Sequence, residues 1–153
     1  MNKSPETSKR RAGHTTQSKP VRILGYAIAI IVQIVILYIL RHLKEWGVNF
    51  LNEDYENALF YVELSIYVSI AIHFIFILYD NRWFKNLLQG VSNIFGALAI
   101  IMVYVIFPFI IENESWVKVI RIALLVLFVL SIIGALAEII KGFRNLARDP
   151  GRI

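Results

Sequence analysis

Charged residues along this chain fall in short clusters, and four stretches between them carry no Asp, Glu, Lys or Arg: residues 23–40, 64–79, 86–111 and 122–137. A helix rises about 1.5 Å per residue, so roughly 20 apolar residues cross a hydrocarbon layer about 30 Å thick. The first and third stretches read directly as spans. The second and fourth need their flanks, residues 58–63, and 119–121 with 138–140. A helix on the surface of a soluble protein shows a broad polar face, and these four show narrow polar stripes at most. The pattern predicts an all-α integral membrane protein with transmembrane helices at about 21–43, 57–79, 87–111 and 116–140. These form an up-down antiparallel four-helix bundle over residues 21–142, between a disordered basic N-terminal tail (1–20) and a basic C-terminal tail (143–153).

Local signals refine each element. The first run is longer than a signal-peptide core and is followed by Leu40-Arg41-His42, not by a small-residue cleavage site, so it is expected to stay as a span. Gly25 and Ala29 give it a small-residue contact face. Helical spacing of Leu43, Trp46 and Phe50 extends the helix toward Gly47, where a C-terminal stop is expected. Asn52 is the expected cap of the second helix and Ser115 that of the fourth. The short connection at 80–86 makes the second and third helices a hairpin, and Pro108 should kink or end the third. Ser131, Gly134, Ala135, Glu138 and Gly142 recur at steps of three or four, a small and polar stripe on the fourth.

Composition agrees: 58% of the 153 residues are hydrophobic and 18% charged, against roughly 45–50% and about 25% in soluble domains. The absence of cysteine excludes disulfides, thiolate metal sites and cysteine nucleophiles. The net charge of +5 follows topology and is no nucleic-acid footprint. Lys3, Lys9, Arg10, Arg11, Lys19, Arg22, Arg82, Lys85, Lys141, Arg144, Arg148 and Arg152 fall on one side, against Arg41, Lys44, Lys118 and Arg121 on the other. The positive-inside rule then puts both termini in the cytoplasm, where the N-terminal tail would be drawn to anionic lipid. Trp46, Trp83 and Trp116 each fall at a boundary, as an aromatic belt requires.

Candidate chemistry lies in the polar positions of the spans. Gln33 is 11 residues from Arg22, about 16 Å along the helix and near the midplane, and Ser69 reaches a similar depth from Asp80. Ser65, Ser69 and His73 drift round one face of the second helix, and Ser92 and Asn93 lie level with His73 on the third. Turned inward, Gln33, Ser65, Ser69, His73, Asn93 and Ser131 form a polar intramembrane cluster, with His73 hydrogen-bonded to Asn93 or Ser92. Two ionisable positions stand apart. Glu63 is expected to snorkel outward or meet a basic residue such as Arg121, and Glu138 to pair with Lys141.

No phosphate loop, HExxH, GxSxG or CxxC pattern occurs. Ser69 and His73 can touch but have no third, orienting carboxylate, so enzyme activity is not expected. Neither a metal nor a cofactor is expected. Haem would need a second axial histidine, and His14 and His42 lie far from His73. The leading expectation is a small membrane subunit acting through helix–helix contacts with other membrane proteins or with a second copy of itself. The rival is a small transporter or channel lined by the polar cluster around His73.

Overall fold

The computed structural model describes residues 19–79 and 81–148; the expected N-terminal tail up to Ser18 and the last five residues lie outside them. Four helices follow in order: α1 (Lys19–His42), α2 (Tyr55–Leu78), α3 (Arg82–Ile106) and α4 (Glu114–Arg148). All four are long and apolar enough to cross a membrane. At about 1.5 Å per residue the 24-residue α1 measures about 36 Å, whereas the 35-residue α4 measures about 52 Å. The chain after Gly142, expected to leave the bundle as a basic tail, stays helical as far as Arg148.

Burial is distributed unlike that of a soluble protein. The buried hydrophobic residues are Tyr55, Ala58, Ile72, Phe76, Ala97, Ala99 and Ala135, mostly small, while large aliphatic side chains such as Leu24, Ile31, Ile122 and Leu130 are exposed. Helix contact here relies on close approach of small residues. A β-carbon on Gly90 would stand 2.6 Å from Ile139 Cγ1, and one on Gly142 would stand 2.8 Å from Leu87 Cδ2. These glycines, with Ala97 and Ala135, bring α3 and α4 into the most extensive contact of the fold.

The helices pack in chain order, α1 on α2, α2 on α3 and α3 on α4. Along the α1–α2 pair, Arg41 meets Glu63, Gln33 meets Ser69 and Tyr26 meets Phe76, so the two run in opposite directions. A closed four-helix bundle would also seat α1 on α4, and among the described residues those two are not packed together. At mid-height Gln33 and Ser131 accordingly bond to the neighbouring helices α2 and α3 and not to each other. The result is an open row bent around a cleft.

At one end the two long connections are joined. Leu51 and Phe109 form an antiparallel bridge, with Asn52 N donating to Pro108 O at 3.1 Å and Ile110 N to Phe50 O at 2.7 Å. This explains two differences from the expected caps. Asn52 does not cap α2; its side chain donates to Phe107 O at 3.3 Å, and Asp54 holds the N-cap position. Asn113, not Ser115, caps α4, its Oδ1 accepting from Ser115 N at 2.9 Å. Helix α3 ends at Ile106, short of the expected boundary at 111, so Pro108 follows the helix and does not kink it, and Phe107 takes a left-handed φ of 45° to make the turn. The Arg121 guanidinium lies 4.8 Å from the Phe107 ring centre, pinning that turn to α4. Helix α1 stops at His42, and the turns beyond it end at Gly47, whose φ of 70° suits glycine.

Candidate functional site

Polar side chains from all four helices turn toward the inside of the row. Gln33 from α1, Ser65, Ile66 and Ser69 from α2, Gln89, Ser92, Asn93 and Gly96 from α3, and Ser131 from α4 line one cleft of about 340 Å³. Gln33 Nε2 donates to Ser69 Oγ at 2.6 Å, tying α1 to α2 at mid-height. Ser131 Oγ donates to the backbone oxygen of Asn93 at 3.0 Å, tying α4 to α3. Gln89 Nε2 stands 3.4 Å from Asn93 Oδ1, one helical turn away. Ser65 Oγ returns its proton to Val62 O at 2.8 Å.

One atom in this set is left over. Gln33 Oε1 is buried and has no hydrogen-bond partner. Reversing the amide would let Ser69 donate to Oε1 and would leave Nε2 unpaired instead, so either orientation leaves one end of the group unsatisfied. No lining side chain is ionisable. Among the described residues no group of three or more His, Cys, Asp or Glu side chains is placed to hold a metal ion.

Five of the six residues expected to cluster are therefore brought together: Gln33, Ser65, Ser69, Asn93 and Ser131. His73 does not line the cleft. Its Nδ1 lies 2.7 Å from Ser69 O, so it donates to the carbonyl of its own helix, and Asn93 and Ser92 are not its partners. The ring packs against Tyr26 at 6.1 Å and Phe76 at 6.0 Å between centroids. Lys85 Nζ completes that group, donating to Tyr26 Oη at 2.9 Å. Gln89 was missed in the sequence, although its spacing of three and four residues from Ser92 and Asn93 puts it on their face.

The two carboxylates are accounted for by ion pairs. Glu63 is held by Arg41, not Arg121, through Nε–Oε1 at 2.6 Å and Nη2–Oε2 at 2.9 Å, a two-pronged contact. Arg41 Nη2 also donates to Tyr67 Oη at 2.9 Å. Glu138 accepts from Lys141 Nζ at 2.7 Å, the local pair its spacing suggested. Neither carboxylate lines the cleft. Compared with family models, with curated proteins and with solved structures, the chain matches none.

Proposed function

We propose that this chain is a multi-pass integral membrane protein whose helices cross in alternating directions, and that it carries a small solute along the cleft. Support for insertion comes from the exposed aliphatic side chains on all four helices, which water would expel and lipid would accept. The cationic residues before α1, in the α2–α3 connection and at the end of α4 support an orientation with both termini in the cytoplasm. On that orientation the bridged connections face the outside.

The observation that carries the solute reading is the cleft itself. Amides and hydroxyls from four helices converge at mid-height, where hydrocarbon leaves such groups unsatisfied and a polar guest does not. Reconstitution tests it: vesicles containing the purified protein should take up glycerol or a small ion faster than protein-free vesicles. Equal rates for every small solute tried would remove the reading.

The helix-contact reading keeps one favourable observation. Gly25 meets nothing within 4 Å and lies on a helix that, among the described residues, packs its backbone on α2 and reaches α3 through Tyr26 and Lys85. Against it, Gly90 and Gly142, the closest-approach glycines, are already used within the chain. Recovery of the monomer alone after crosslinking in membranes would leave Gly25 without a partner and retire this reading.

A further inference from the structure

We infer that the solute of this cleft is uncharged and both donates and accepts hydrogen bonds, as urea and small polyols do; this rests on the solute-carrying reading above. The lining supplies neutral groups throughout, and an ion leaving water would find no countercharge there. Glu63 and Arg41, on the helices of Ser65 and Gln33, already neutralise each other, and Lys85 donates to Tyr26. A neutral guest meets a different balance. The unpaired end of the Gln33 amide is buried and needs a partner that water or a guest must supply. Asn93 keeps its Nδ2 protons beyond the contact with Gln89, and the Ser92 hydroxyl faces the same space. A guest with one kind of group would satisfy half of these atoms; one with both satisfies them together. At about 30 Å³ per water molecule, the 340 Å³ of the cleft is room for about ten waters or a small polar solute.

The experiment compares urea, guanidinium and nitrate, three planar solutes of like size and different charge, with glycerol as a larger neutral probe. Each is followed into phosphatidylcholine–phosphatidylglycerol vesicles with and without the protein. The expected result is urea and glycerol flux above the protein-free rate and no such gain for guanidinium or nitrate. Gln33→Leu and Asn93→Leu should each lower urea flux about tenfold, the loss that follows from one buried hydrogen bond left unmade. Gln33→Glu, close in shape, should slow urea and admit guanidinium, which keeps the test decisive where the leucine variants fail to fold. Guanidinium or nitrate passing as fast as urea would overturn the inference and leave the solute-carrying reading standing. If none of the four solutes passes, both fall. Undiminished urea flux in folded Gln33→Leu and Asn93→Leu would overturn the assignment of the cleft as the path.

Discussion

Glu63 shows how a single residue is settled by its neighbours. Its carboxylate, with a side chain 15% exposed, is matched atom for atom by the Arg41 guanidinium. Removing Arg41 leaves the mostly covered Glu63 carboxylate uncompensated, which costs more than removing both. Arg41→Leu should therefore lower the thermal midpoint in detergent more than the double replacement Arg41→Leu/Glu63→Leu does. Equal midpoints would show that the Glu63 carboxylate left without Arg41 costs nothing. The sequence indicated that Glu63 lies off the serine stripe, and it pointed to Arg121. That partner is out of reach because α4 packs on α3 and not on α2. His73 teaches the same lesson. An ionisable ring inside a span is a functional suspect by default, yet its proton goes to a carbonyl one turn back and its ring to Tyr26 and Phe76. His73 touches the cleft only through Ser69, so His73→Phe, which keeps the aromatic packing, should leave solute flux within about twofold of the parent, as substitutions that spare the lining do. A loss as large as that for Gln33→Leu would return His73 to the pathway.

At the level of elements, length and hydropathy were enough to locate four helices, because a span is a local property of about 20 residues. Their ends were harder to read. Asn52 has the chemistry of a cap, but the connection after Ile106 draws its amide to Phe107 O, a partner 55 positions away. No local pattern carries that information. Small residues were legible as contact faces without revealing which were used: Gly90 and Gly142 lie against α4 and α3 respectively, whereas Gly25 faces open space. Gly90→Leu should destabilise the fold by about 1–3 kcal/mol, since the added side chain enters space held by Ile139. Gly25→Leu should change stability by less than about 1 kcal/mol, the gain in helix propensity offering a small benefit. Thermal unfolding of both variants in the same detergent separates the two positions. A Gly25→Leu variant as unstable as Gly90→Leu would mean that α1 packs more closely than it does here.

The whole molecule is held by two different fastenings. Near mid-height, side-chain hydrogen bonds join α1 to α2 and α3 to α4 around the cleft. At the end away from the α2–α3 connection, backbone pairing joins the first half of the chain to the second. That second fastening matters because α1 and α4 leave the row open along its side. The bridge predicts a covalent test. Asn52 N bonds to Pro108 O and Ile110 N to Phe50 O, so Leu51 and Phe109 stand opposite each other between those bonds. Such a pair brings its Cα atoms to about 4.5 Å, within the span a disulfide can close. The chain has no cysteine of its own, so Leu51→Cys/Phe109→Cys introduces the only two thiols. On the proposed orientation these thiols face an oxidising compartment. The pair should close unaided, and a chain cut in the α2–α3 connection should then stay in one piece until reductant is added. The Phe109→Cys variant alone should react in intact cells with a maleimide that cannot cross the membrane. Labelling that requires permeabilised cells would invert the topology, whereas a labelled single variant whose double fails to crosslink would leave the topology intact and break the bridge.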